Sequence, residues 1–155
     1  MKTESIIEPS DRILELQSEA IREVKEILSN DNVSAVGSMA VPMIGRPELD
    51  ILVISDDIEN DADKLEASGF MYRTLANDSI FLKKKVDGVE IAVQITTPDN
   101  SSIKTHKKII DLMRSDSGMR NQYEEFKRTL DGLSAEEYKV KKREWMKEYL
   151  LPKLD

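Results

Sequence analysis

The stretch Val36-Gly37-Ser38-Met39-Ala40-Val41-Pro42-Met43-Ile44-Gly45-Arg46-Pro47-Glu48-Leu49-Asp50-Ile51-Leu52-Val53 holds the residue types that could do chemistry. A short strand runs into Gly37-Ser38, a loop follows, and an acid, Asp50, then opens an apolar strand. Such an arrangement suits an anion. Glycine accepts unusual backbone torsions and lets a phosphate approach closely. Backbone N–H groups and a serine hydroxyl can then hydrogen-bond the phosphate oxygens. An acid at the start of the neighbouring strand can hold a divalent cation against the same phosphate. Spacing alone does not make this specific, because Gly-Ser turns are common and an acid beside a buried strand is often a plain surface residue.

The elements that must position these residues are readable from periodicity. Ser10 is placed as an N-cap for a helix with Ile13, Leu14, Leu16, Ala20, Ile21, Val24, Ile27 and Leu28 near one face, ending at Asn30-Asp31-Asn32. Strands are expected at Val33 to Val36 and Leu49 to Ile54, the second mostly apolar and β-branched. A helix over Asp57 to Ser68 closes at Gly69. Three more strands follow, at Phe70 to Leu75, Ser79 to Lys84 and Val89 to Thr96, with Asp87-Gly88 as a hairpin signal. Three helices are expected at Ile103–Ser115, Gly118–Leu130 and Ser134–Leu151, the last with a Ser134/Glu137 capping box. The reading is an α/β (α+β) fold, with a mixed β-sheet, flanking helices and a C-terminal helical segment. We expect one domain over residues 1–155, with an α/β core to about residue 98 and appended helices from about 99.

Composition narrows the function. The 155 residues are 39% hydrophobic and 34% charged, with no cysteine, which excludes disulfides, iron–sulfur clusters and thiol catalysis. The net charge is -7, concentrated before residue 98, so an extended nucleic-acid surface is not expected. No run approaches a membrane span, and the N-terminus lacks the apolar run of a signal peptide. A cytoplasmic location is the expectation.

Gly37-Ser38 followed by Asp50 resembles the Gly-Ser…Asp signature of the nucleotidyltransferase superfamily, the fold of DNA polymerase β and of the antibiotic nucleotidyltransferases. Gly37-Ser38-Met39-Ala40-Val41-Pro42 with Arg46-Pro47-Glu48-Leu49-Asp50-Ile51 looks more specifically like the Gly-Ser-Thr-Ser/Ala-Val-Pro-Gly…Lys-Pro-x-x-Asp motif of the GrpB family. Further matches follow in order: Gly69-Phe70 with Tyr72, Asp111-Leu112-Met113-Arg114, Tyr123-Glu124-Glu125-Phe126-Lys127 with Leu130, and Tyr138 with Lys142. The resemblance implies a nucleotidyltransferase-like core. It also implies nucleotidyl transfer with Mg²⁺ from a nucleoside triphosphate to a hydroxyl acceptor, in which the protein positions groups and neutralises charge.

The chain departs from that pattern. Superfamily members usually carry Asp-x-Asp or Asp-x-Glu, which puts two carboxylates on one strand face. Here the residue after next is Leu52, as is general in GrpB-like proteins. Glu90, on the same strand face as Ala92 and Gln94, stands as the third acid where relatives often have His-x-His. Asp50 and Glu90 are the expected catalytic and Mg²⁺-holding residues, and one shared cation is the most they suggest. Gly37, Ser38, Arg46, Arg114 and Lys127 are the expected nucleotide- and phosphate-binding residues. Against each cation stands the plain alternative of a solvated charge or a surface ion pair. His106 reads as a surface helix residue and the Lys139–Arg143 run as a wet helix face, with Tyr138, Trp145, Met146 and Tyr149 on the core side.

Two functional readings follow. One is a Mg²⁺-dependent nucleotidyltransferase whose partner is a nucleoside triphosphate. The other is a catalytically degenerate module that binds a nucleotide, a coenzyme or a related phosphorylated small molecule and lacks the second metal carboxylate. GrpB-type domains fused to dephospho-CoA kinase make a coenzyme A link thinkable by analogy. A homodimer formed through the helical tail is a third, weaker expectation.

Overall fold

The computed structural model describes residues 6–41, 43 and 46–154, and only the backbone of Ser38. Helix α1 spans Asp11–Leu28, and the Ile13 N–H donates to Ser10 Oγ at 3.2 Å, so the expected cap is present. The helix ends at Ser29, in the left-handed region, just before the Asn30-Asp31-Asn32 end expected from the sequence. Asn30 instead ties the helix end to the sheet, its side-chain amide donating to the Ile54 carbonyl at 2.9 Å.

Five strands follow: β1 (Val33–Val36), β2 (Glu48–Ile54), β3 (Met71–Ala76), β4 (Ser79–Val86) and β5 (Val89–Thr96). They form one sheet in the order β1-β2-β5-β4-β3. β2 and β5 run parallel and the other pairs antiparallel, so the sheet is mixed. The Asp87-Gly88 hairpin is present, with both residues at positive φ. Asn77 and Asp78 also lie at positive φ and close the β3–β4 hairpin, a second tight turn not expected from the sequence.

Strand alternation divides the sheet chemically. One face carries Leu49, Ile51, Val53, Ile80, Leu82, Ile91, Val93 and Ile95, all buried against α1 and against α2 (Ile58–Ala67). The other face carries Glu48, Asp50, Phe81, Glu90, Ala92 and Gln94. Helices α3 (Ser102–Ser115), α4 (Ser117–Arg128) and α5 (Ala135–Trp145) stand over that polar face. They build a second apolar cluster of Val41, Met43, Met113, Met119, Tyr123 and Leu150. The fold is therefore α+β, a mixed sheet with flanking helices and a helical C-terminal segment.

The last helix differs from the single Ser134–Leu151 element expected from the sequence. Its cap is as expected, with the Glu137 N–H donating to Ser134 Oγ at 3.2 Å. After Trp145 the backbone widens into a π-turn over Met146–Leu150 and then a 3₁₀ turn over Leu151–Lys153. Pro152 has no N–H for an α-helical bond and its ring clashes with the preceding turn. Trp145 stacks on Tyr123 at 4.9 Å and on Phe126 at 5.2 Å, and Leu150 is fully buried, so both ends of the widened turn are pinned. Tyr149 is 48% exposed and lies against the Trp145 ring, not in the core as the amphipathic pattern suggested.

β2 carries both the core and the charged face, so its packing should control the stability of the whole. Leu49→Ala empties a fully buried position and is expected to lower unfolding free energy by about 3 kcal/mol, the usual size for a buried leucine truncation. Urea unfolding followed by circular dichroism checks this; a change below about 1 kcal/mol would mean that the strand is not buried as described.

Candidate functional site

β1 ends at Val36, which pairs with Asp50 on the antiparallel strand β2. The next residue, Gly37, turns the chain at φ 74 and starts a 3₁₀ turn over Ser38–Ala40. The pairing brings the Asp50 side chain onto the bend. A Cβ built on Gly37 would collide with Asp50 Oδ2 and lie 3.0 Å from Asp50 Cγ. The glycine is required twice over, for the positive φ and for the space that the carboxyl group fills. The Ser38 side chain expected to hold phosphate, and Pro42 of the motif, lie outside the described residues.

Asp50 has a neighbouring acid beyond those expected from the sequence. Glu48, two residues earlier on the same strand, shares its face, so the strand offers a Glu-x-Asp pair. The signal lies in Glu48-Leu49-Asp50, one step backward along the strand, whereas the superfamily pattern points forward to Leu52. In the parallel pairing, Glu90 lies opposite Glu48, while Asp50 lies opposite Ala92. Three carboxylates thus share one face, with Glu90 one row further from Asp50 than Glu48 is from Glu90.

Cations are interleaved with them. Arg46 Nη2 lies 2.7 Å from Glu48 Oε2, and its guanidinium sits over the Tyr138 ring at 4.8 Å from the centroid. Lys142 approaches the same ring at 5.9 Å. Lys127 is fully buried, with its Nζ 4.1 Å from the Tyr123 centroid and 3.8 Å from Met43 Sδ. Lys83 lies 3.4 Å from Glu90. Arg114, expected to line the cleft, donates to the Ala40 carbonyl at 3.0 Å and holds the end of the 3₁₀ turn against α3. It is a tether for the Gly37 bend. Lys142, expected on a wet helix face, turns into the cleft.

These surroundings move the protonation equilibria. Burial pushes the Asp50 carboxyl up, with Lys142, Arg46 and Lys127 opposing it and Glu90 adding to it. Burial, and then the charge of Asp50, push Glu48 up to about 7. Burial, and then Lys142, bring Lys127 down to about 7. Tyr123 and Tyr138 are both raised, chiefly by burial.

A cavity of about 280 Å³ opens beside this centre. Its charged end is formed by Asp50, Arg46 and Lys142, and its walls are mostly apolar, including Val41, Met43, Ile109 and Met113. That size is at the small end of ligand pockets, which run about 300–1,000 Å³ and are mostly apolar with a few placed polar groups. His106 lines its far side, half-buried and bonded to Gln94 at 3.1 Å, and is not the surface residue expected from its lysine neighbours.

The Mg²⁺ that the resemblance implies needs a near-octahedral oxygen shell. Each carboxylate of the face already faces a protein cation, Glu48 with Arg46, Glu90 with Lys83, and Asp50 within reach of the charge on Lys142, Arg46 and Lys127. Among the described residues no three of His, Asp and Glu form a metal-holding group. With Glu48 and Glu90 each held in an ion pair, the carboxylates present do not fit the oxygen shell of a resident Mg²⁺.

Known proteins share this architecture. The GrpB protein family matches residues 5–151. Among solved structures, the conserved protein GrpB from Enterococcus faecalis superposes with a TM-score of 0.74 at 24% identity, covering 96% of this chain and 93% of that one. A cytoplasmic RNA terminal U-transferase superposes at 0.53 with 18% identity, and Cid1 in complex with the UTP analogue UMPNPP at 0.52 with 17% identity. Each of these two covers 72% of this chain, which spans only 38% and 36% of their respective lengths, so they show the shared nucleotidyltransferase-like fold. No curated protein matches the chain in sequence. No described helix is long and apolar enough to cross a membrane.

Two outcomes are expected from the site geometry. Gly37→Ala should displace the Asp50 side chain and destabilise the fold by about 2 kcal/mol or more, because a forced positive φ adds to a steric overlap. A melting temperature equal to wild type would show that the carboxyl group does not rest on the bend. The second outcome concerns pH. A folded-state Glu48 near 7, above its usual 4.5, favours the folded form at low pH and loses that contribution as pH rises from 4.5 to 7. A folded-state Lys127 near 7, below its usual 10.5, contributes stability at high pH and loses it as pH falls from 10.5 to 7. Thermal stability of wild type should therefore rise between about pH 7 and 9.5, and Lys127→Met should remove that rise. A rise that persists in the variant would assign it to another group.

Proposed function

From the premise that this chain belongs to the GrpB family, we propose that it binds a nucleotide or related phosphorylated small molecule in the cleft between the polar sheet face and α3–α5. Arg46, Lys142 and the Gly37 bend would receive the phosphate. The observation that supports this reading is the cavity with Asp50 on Gly37 at one end and cations beside it. A phosphate would meet the N–H donors of Arg46 and Lys142 at that end of the cavity, and such charge-assisted contacts are among the stronger hydrogen bonds. Binding of this kind needs no metal bridge. Nucleotidyl transfer to a hydroxyl would need two metal ions, or one with a free carboxylate as base. The ion pairs on Glu48 and Glu90 weigh against both. Asp50 then acts as a fixed charge that orders Lys142, Arg46 and Lys127 around the ligand.

Isothermal titration calorimetry with ATP, UTP and ribose 5-phosphate in EDTA tests the reading. We expect at least one of them to bind without Mg²⁺, and Lys142→Ala to weaken it about tenfold, the effect of about 1.4 kcal/mol. Absence of binding with or without Mg²⁺ would refute it. Binding only with Mg²⁺, or pyrophosphate release that disappears in Asp50→Asn, would restore Mg²⁺-dependent nucleotidyl transfer as the function.

A further inference from the structure

The cavity has a second polar end. Along β5, Gln94 is one row beyond Ala92, the residue opposite Asp50. Two residues of strand separate these rows by about 7 Å. Phe81 lies opposite Gln94 on β4, and both face the cavity. Ala92 between them carries only a methyl group, so the floor between the charged end and Phe81 is low.

Gln94 is held in one orientation. Its Nε2 donates to Ser79 Oγ at 3.2 Å and to Ser102 Oγ at 3.1 Å, which uses both of its protons. Ser79 is fully buried and shares a 2.9 Å hydrogen bond with Thr96, which is also fully buried. The Oε1 that remains can only accept, and it lies 3.1 Å from His106 Nε2. With the amide in this orientation a neutral imidazole carries its proton on Nε2, and Nδ1 is left as an acceptor. Among the described residues, Nδ1 has no protein hydrogen-bond partner. A network anchored on buried Ser79 and Thr96 thus ends in one acceptor on the wall of a mostly apolar cavity. Burial also favours the neutral ring.

We propose that this end of the cavity is a nucleobase subsite, in which Phe81 supports the flat face of the base and His106 accepts a hydrogen bond from an N–H on its edge. It rests on the phosphate reading above and deepens it. The pentose would span the row of Ala92, and the phosphate would meet Arg46 and Lys142. His106 is the specificity-determining residue, and Gln94 is a positioning residue that acts through it. A site of this kind discriminates against ligands that cannot supply the hydrogen bond, since the acceptor would then be covered and left unpaired.

The test compares nucleoside 5′-monophosphates bearing each of the four common bases with ribose 5-phosphate, by calorimetry. We expect at least one nucleotide to bind about tenfold or more tightly than ribose 5-phosphate, the size of one hydrogen bond together with ring stacking. His106→Phe should remove that preference while leaving ribose 5-phosphate affinity unchanged. Because the chain has a single histidine, its imidazole ¹⁵N signals provide a readout in the intact protein. Free protein should show an unprotonated Nδ1, and the preferred nucleotide should shift that signal where ribose 5-phosphate does not. Equal affinity for ribose 5-phosphate and all nucleotides, or an unchanged preference in His106→Phe, would overturn the subsite alone. Failure of every phosphate to bind would overturn the phosphate reading and this proposal together.

Discussion

The cleft depends on one contact, the Asp50 carboxyl group resting on the Cα of Gly37. No side chain larger than hydrogen fits at the bend, because the space belongs to the acid. The acid in turn is kept there by the register of β1 on β2, which pairs Val36 with Asp50. A carboxylate held partly out of bulk water is favoured by nearby cations. Arg46, Lys127 and Lys142 come from a loop and two different helices to supply them. The helical layer is held over the sheet by the apolar cluster around Met113 and Tyr123, with these cations on its inner side.

The same balance separates this cleft from a two-metal site. A metal centre leaves its carboxylate oxygens free for the ions, whereas here Glu48 and Glu90 each have a protein cation beside them. The nucleotidyltransferase-like fold supplies the platform, the glycine bend and the starting acid. What the platform does is set by the residues placed on it. In this chain those residues are cations, aromatic rings and a half-buried amide–imidazole pair.

Much of this was legible in the sequence, for local reasons. The strands, the two serine caps and the Asp87-Gly88 hairpin follow from periodicity and turn chemistry, which act over a few residues. The Gly37-Ser38…Asp50 spacing was legible as a motif because strand, bend and strand are consecutive. Glu48 was legible in principle, since a two-residue step backward along a strand is as good as one forward. That Glu90 lies opposite Glu48 was not, because the parallel pairing of β5 with β2, and its register, is decided by packing across the chain. Lys142 and His106 sit in lysine-rich segments that look solvated. Only the docking of α5 and α3 on the sheet shows that one residue of each segment turns inward. The widened turn after Trp145 is likewise a product of aromatic stacking on α4 that no helical periodicity encodes.

The central claim is that a phosphate meets the glycine bend and its cations. Inorganic pyrophosphate titrated into ¹⁵N-labelled protein, with backbone amide shifts followed residue by residue, tests this most directly. A saturable shift centred on Gly37, Arg46 and the turn of α5 that carries Lys142 is expected. Saturable shifts confined to another surface, or none at millimolar pyrophosphate, would contradict it.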